Sequence, residues 1–288
     1  MIAHVAEASE DRGRVVVRLG SLTLSNRAAL EAAVHVARAF QSEIEGVFVE
    51  DPDLFEAAAH GFVREVGHFA GKPRPLSNDV VVGDTSHFAV AAQRELADIA
   101  SSHRVGFKAR SIRHGVVPAL ARACAERGPW NIVAFGEPIV DAEGAEMVAE
   151  ALANVFGATG YIVAGRRARW SHGPIIVVAE DTDRLSGQLR VARGLAGIDR
   201  DPVAVIAVGA DEIGRDWLDS EVRMIVGESA DVTQLRPFSA DGPAAALPAA
   251  LSGLLPRMII ARNGGLTLPT LGLQHVLAAL SCPVFLTH

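Results

Sequence analysis

The sequence predicts an α/β protein made of two doubly wound domains in tandem, each with a five-stranded parallel sheet. Three observations carry this reading. Short apolar, β-branched runs alternate with amphipathic helical segments along the whole chain. The alternation restarts after a polar, basic, glycine-bounded stretch at 165–173 (GRRARWSHG). Each pass closes on an apolar run, 160–164 (GYIVA) and 283–287 (PVFLT). The expected domains are therefore 1–165 and 174–288.

In the first pass, 14–19 (RVVVRL) reads as a strand. Residues 26–40 read as a helix, with Ala29, Leu30, Ala33, Val34, Ala37 and Phe40 at helical spacing and Asn26 as N-cap. Residues 43–49 (EIEGVFV) form the second strand, and strand, helix, strand at this spacing implies parallel pairing through a right-handed crossover. The stripe Leu54, Phe55, Ala58, Phe62, Val66 and Phe69 predicts one helix over 53–70, and two prolines mark a loop at 71–79. A helix over about 84–103, a strand at 107–113 and a helix at 116–127 follow. A strand at 131–135 ends at Gly136, and a helix at about 143–156 leads to the strand at 160–164.

The second pass repeats the order. A strand at 175–179 (IIVVA) runs into a polar turn at 181–187 and a helix from Leu189 to Leu195. A strand at 203–208, a helix at about 211–227, a strand at 231–236 and a helix at 243–254 come next. A strand at 257–261, the turn Asn263-Gly264-Gly265 and a helix at 270–280 precede the closing strand.

Composition narrows the function classes. The 288 residues suffice for two domains. Hydrophobic residues make up 49% and aromatics only 5%, an aliphatic content that suits buried parallel strands. The net charge is −7 and the densest basic patch is Arg166, Arg167 and Arg169, which argues against a nucleic-acid partner. No apolar run reaches the roughly 18 residues of a membrane span, and the first residues lack a signal pattern, so a cytoplasmic protein with no membrane partner is expected. Cys124 and Cys282 each sit in an apolar stretch and read as buried free thiols.

Several segments carry a family likeness. RVVVRLGSLTLSNRAALEAAVHVAR resembles the opening of universal stress proteins, where a strand runs into Asp-Gly-Ser and an alanine-rich helix. RHGVVPALARACAERGPWNIVAFGEP resembles their third strand, third helix and fourth strand, and SCPVFLTH their closing strand. GPIIVVAEDTDRLSGQLRVARGLAG repeats the opening in the second half. The resemblance implies an adenine nucleotide α-hydrolase-like, Rossmann-like fold, a stress-response role, and a ligand crevice at the carboxyl ends of strands one and four. It also implies that 160–164 and 283–287 pair within one chain, giving a pseudo-twofold intramolecular dimer, with a homodimer of whole chains left open.

The nucleotide-binding motif of that family is degraded here. Its phosphate loop reads Gly, two residues, Gly, nine residues, Gly, then Ser or Thr, because glycines let backbone N–H groups approach phosphate oxygens. The first half offers Gly136, but Ile139 holds the second glycine position, and Ala149-Glu150 or Met147-Val148 the last pair. Glu137, Asp141 and Glu143 would repel phosphate. The second half offers Asn263, Gly264 and Gly265, with no Gly-Ser pair beyond. At the end of strand one the family carries an acid. The first half has Leu19 there, followed by Gly20 and Ser21; the second has Glu180, followed by Asp181 and Thr182. Those nine glycine, acid and turn residues — Gly20, Ser21, Gly136, Glu180, Asp181, Thr182, Asn263, Gly264 and Gly265 — are the candidate cofactor-binding set. No resident cofactor is expected, with ATP or AMP in the second crevice as the alternative.

Other chemistry finds little support. His60 and His68 share a helix face in this reading, but no HxxxH or CxxC spacing points to a metal. His114, before Gly115, is the histidine placed to line a pocket. Ser21, Ser25 and Ser186 lie in turns without a GxSxG elbow, so no catalytic residue is assigned and a non-enzymatic role is expected.

Overall fold

The computed structural model describes residues 13–20, 26–66, 73–126, 128, 130–227, 231–240, 246–270 and 272–287. The first half runs β1 (Val15–Leu19), α1 (Arg27–Ala39), β2 (Ile44–Glu50), α2 (Pro52–Ala59), β3 (Arg64–Val66), β4 (Pro73–Pro75), α3 (Asn78–Ser102), β5 (Phe107–Arg113), α4 (Val116–Ala125), β6 (Asn131–Phe135), α5 (Ala142–Asn154) and β7 (Ala158–Val163). The second runs β8 (Ile175–Ala179), α6 (Leu185–Asp199), β9 (Val203–Gly209), α7 (Glu212–Val226), β10 (Val232–Gln234), β11 (Phe238–Ser239), α8 (Ala246–Ala250), β12 (Met258–Arg262), α9 (Leu273–Ala279) and β13 (Val284–Thr287).

Both halves share one sheet, in the order β10-β9-β8-β12-β13-β7-β6-β1-β2-β5, with β11 extending β9. Numbered by their own main strands, the halves have the same order, 3-2-1-4-5, and every pairing among those main strands within a half is parallel. The inner strands are buried on both faces, which is why they read as continuous apolar runs, whereas the edge strand β5 is largely exposed. In β1, Val15, Val17 and Leu19 pack on one face and Val16 on the other; Ile175 and Val177 of β8 alternate with Ile176 and Val178 in the same way. Helices α1, α3, α6 and α7 cover the first face, and α4, α5, α8 and α9 the second.

The halves join through their last strands. β13 pairs antiparallel with β7, from Val284 opposite Val163 to Thr287 opposite Gly160. Gly160 is needed there: a Cβ would lie 2.6 Å from Cζ of Phe285. Helices bridge the seam on both faces, α1 against α6 and α5 against α9.

Several boundaries differ from the sequence expectation. The helix expected over 53–70 stops at Ala59, because Gly61 interrupts it and its stripe has little to pack on; only Ala58 of α2 is buried. The chain instead pairs β3 with β4, leaving Phe62 and Val66 exposed, while His68 and Phe69 lie outside the described residues. Helix α3 starts earlier than expected, at Asn78, where the Ser77 hydroxyl accepts from the Val80 amide. The strand expected at 231–236 is two short strands, with Pro237 between them. The helix expected at 243–254 is short, ending before a turn at Gly253 with φ +88°. No helix among the described residues is long and apolar enough to cross a membrane. Cys124 and Cys282 are free and buried, and burial pushes both thiols up to about 12.

Candidate functional site

Strand order reverses between β1 and β6 in the first half and between β8 and β12 in the second, so each half opens a crevice at those carboxyl ends. The residues singled out from sequence fall at these two mouths. Gly20 follows β1 and Gly136 follows β6; Glu180 follows β8, and Asn263, Gly264 and Gly265 follow β12. Ser21 lies outside the described residues.

In the first crevice, backbone and side chains close on themselves. The Gly136 amide donates to the Arg18 carbonyl at 2.9 Å and its own carbonyl accepts from the Asn26 amide at 2.6 Å. Asn26 caps α1 as expected, accepting from Ala28 at 3.0 Å, and its side-chain amide donates to the Gly165 carbonyl at 2.9 Å. A Cβ at Gly136 would lie 2.8 Å from the Arg18 carbonyl oxygen, so the glycine serves close chain approach. Glu137 turns back across the mouth. Its carboxylate pairs with Arg18 Nη1 and lies on Gly20, where any Cβ would collide with it. Both partners are largely buried, at 13% and 15% side-chain exposure.

This pair forms part of the wall of a cleft of about 820 Å³. Asp51, Asp53, Asp141, Glu143, Glu146 and Glu150 line it, with His114 at the rim. Asp141 already accepts from the Gly144 amide at 2.9 Å, so the α5 N-terminus, the natural place for an anion, holds its own carboxylate. A phosphate entering here would meet seven carboxylates, and the lining arginine, Arg18, is already paired with Glu137.

The second crevice is closed by the opposite strand's residue. Glu180 leaves the end of β8 and reaches the loop after β12. It accepts from the Leu266 amide at 3.0 Å, the Thr267 amide at 2.8 Å and the Thr267 hydroxyl at 2.6 Å. A Cβ at Gly265 would collide with this carboxylate. Asp181 accepts from the Arg184 amide at 3.0 Å and pairs with Arg262 at 3.5 Å, and Thr182 is half-buried in the same turn. The Asn263 amide donates to the Thr287 carbonyl at 2.9 Å, and Gly264 takes φ +65°, a left-handed turn that glycine makes freely. Loop amides of the kind that cradle a phosphate thus bind an internal carboxylate. The two crevices are closed alike: Glu137 crosses from β6 to Gly20, and Glu180 crosses from β8 to Gly265.

A third constellation escaped the sequence reading. At the seam, buried Arg257 donates to Asp199 at 2.8 Å and pairs with Asp201, and its guanidinium lies 4.8 Å over the Trp170 ring. His35 of α1 sits edge-on to the same ring at 5.2 Å. Its Nε2 faces the Leu195 carbonyl at 3.0 Å, which assigns the ring proton to Nε2. Its Nδ1 lies 3.8 Å from Asp199. Burial holds the His35 imidazole below its ordinary range, and the Arg257 charge adds to that; the Leu195 carbonyl opposes it. Burial pushes the Asp199 carboxyl up, but the bond to Arg257 and its charge outweigh this and hold it low. His35, Asp199 and Asp201 come close enough to suggest a cation site, yet Arg257 already bonds both carboxylates there. The only sequence signal was a histidine inside the buried stripe of a helix.

No protein-family model and no curated protein matches the sequence. Solved structures do. A universal stress protein from Archaeoglobus fulgidus DSM 4304 superposes with TM-score 0.62 at 14% identity, over 94% of this chain and 95% of that one. A provisionally assigned universal stress protein from Pseudomonas aeruginosa UCBPP-PA14 gives TM-score 0.58 at 15% identity, over 96% and 94%. The cytoplasmic domain of a prokaryotic cation chloride cotransporter gives 0.54 at 10%, over 96% and 95%. The chain therefore has the universal-stress-protein fold along nearly its whole length. The third likeness shows that this fold also serves in another setting, and at such identities fold alone is shared.

Proposed function

We propose that the chain is a universal-stress-type protein of the stress response that acts by binding or scaffolding rather than by catalysis, with both nucleotide crevices closed by its own carboxylates. The carrying observation is Glu180: it accepts from the Leu266 and Thr267 amides, donors a phosphate would need. The Arg18–Glu137 pair on Gly20 supports the same reading in the first half. We read residues 1–165 and 174–288 as the two domains, and their seam of β7 and β13 as a pseudo-twofold dimer within one chain.

The alternative, an ATP or AMP sensor in the second crevice, requires Glu180 to release those amides. Mass spectrometry of ligand released from freshly purified protein, followed by thermal-shift titration with ATP and AMP, tests the choice. We expect no released nucleotide and no shift up to about 1 mM, the weak limit of useful binding. Released nucleotide, or a saturable shift, would favour the sensor.

A further inference from the structure

Helix α7 covers the outer end of the sheet, against β9 and β11. Leu218, Val222 and Val226 face inward. The face opposite carries Ile213, Trp217, Ser220 and Met224, at helical spacings of four, three and four. On this solvent side Ile213 is 83% exposed, Trp217 58% and Met224 68%. An apolar stripe with a tryptophan on the outward face of a helix is the kind of surface that marks an association site.

The stripe is complementary to itself when reversed. Ile213 and Met224 stand equally far from a point between Leu218 and Asp219, and so do Trp217 and Ser220. One flank carries Asp216 and Arg223, seven residues apart and hence on the same side, with side chains 70% and 69% exposed. In an antiparallel helix pair, like flanks face each other, so acid and base on one flank meet in reversed order.

We propose that α7 is the contact through which two copies of this chain associate, packing antiparallel about a twofold axis near Asp219. Trp217 then covers the partner's Ser220, whose small side chain leaves room for the indole, and Ile213 meets the partner's Met224. Asp216 faces the partner's Arg223, and the symmetric pair forms on the other side of the axis. Arg223 now bonds Asp219 at 2.6 Å, but Asp219 keeps Gln234 at 2.6 Å if Arg223 turns outward. The move leaves Asp219 a neutral donor in place of a cation, and Asp216 likewise exchanges Arg215, which it now bonds at 2.9 Å, for the partner's Arg223, so the charged flank sets register more than it adds affinity. A 15-residue helix is about 22 Å long. One helix pair covers less than the roughly 800 Å² per partner of a stable complex, so the association is weak. The proposal does not depend on how the crevices are filled.

Sedimentation velocity between about 1 and about 200 µM tests it, with circular dichroism as a check on each variant. The wild type should shift from monomer to dimer across that range. Trp217→Asp should stay monomeric throughout. Arg223→Asp should weaken the dimer by about tenfold or more, as repulsion replaces two symmetric attractions, and the double variant D216R/R223D should restore it. A wild type that stays monomeric at the top concentration overturns the proposal, including the case where the stripe serves a lipid surface or another protein. A dimer that Trp217→Asp leaves intact also overturns it. A double variant no better than Arg223→Asp overturns the antiparallel pairing.

Discussion

The amide and hydroxyl of Thr267 both donate to the Glu180 carboxylate, at 2.8 and 2.6 Å, and so tie the loop after β12 to the end of β8. The two strands are neighbours in the sheet but lie some eighty residues apart in sequence. One carboxylate thus satisfies loop donors and closes the mouth between the strands. Glu180→Ala should cost about 1.5–3 kcal/mol of unfolding free energy, the range for hydrogen bonds to a charged group. Thr267→Val, which keeps the amide bond, should cost about 1 kcal/mol. Urea denaturation followed by tryptophan fluorescence reads both, and their double variant should cost less than the two combined.

The seam between halves depends on Gly160 lying under Phe285. A Cβ there would sit 2.6 Å from the ring, so Gly160→Ala should destabilise by about 1–3 kcal/mol through overpacking. Adding Phe285→Leu should recover part of that loss, although Phe285→Leu alone is destabilising. Purely additive effects in thermal denaturation would mean that the ring does not occupy that space.

His35 makes stability fall with pH. Its folded pKa is lowered from 6.5, chiefly by burial, so between the folded value and 6.5 the unfolded chain binds more protons. The His35 contribution is complete above pH 6.5 and is lost as pH drops below it. Asp199, held low by Arg257, adds stability that is present above pH 3.8 and is lost only as pH falls through its folded value. Urea midpoints at pH 7.5 and 5.5 should therefore differ for the wild type, and the difference should shrink in His35→Gln.

Arg257 is 4% exposed and bonds both Asp199 and Asp201. Removing one partner from a buried ion cluster leaves charge uncompensated, at about 3–5 kcal/mol. Arg257→Ala should show a loss of that size in chemical denaturation. Arg257→Lys should recover only part of it, since an ammonium lacks the planar fork that spans two carboxylates and the flat face that stacks on Trp170.

Local pattern made most of the fold legible. Runs such as 175–179 (IIVVA) announce strands covered on both faces, and Asn26 announces a helix start that the structure keeps. The reading failed where a stripe had nothing to pack on. Leu54 to Val66 has helical spacing, but beyond Ala59 no partner surface rewards the helix, and the chain turns at Gly61. The candidate residues singled out by position, apart from Ser21, fall at the crevice mouths. What they do there was not legible.

By itself, then, the amino-acid sequence determined the order and type of the main elements, the duplication and the place of the two mouths. These follow from periodicity and turn residues, which act over a few neighbours. Only the tertiary structure decided that the halves fuse into one sheet through β7 and β13, that Glu137 lies on Gly20, and that Glu180 lies on Gly265. It also brought His35, Trp170 and Arg257 to one seam. Each of these joins residues some 85 to 220 positions apart, and no local preference of the chain encodes which carboxylate will meet which glycine.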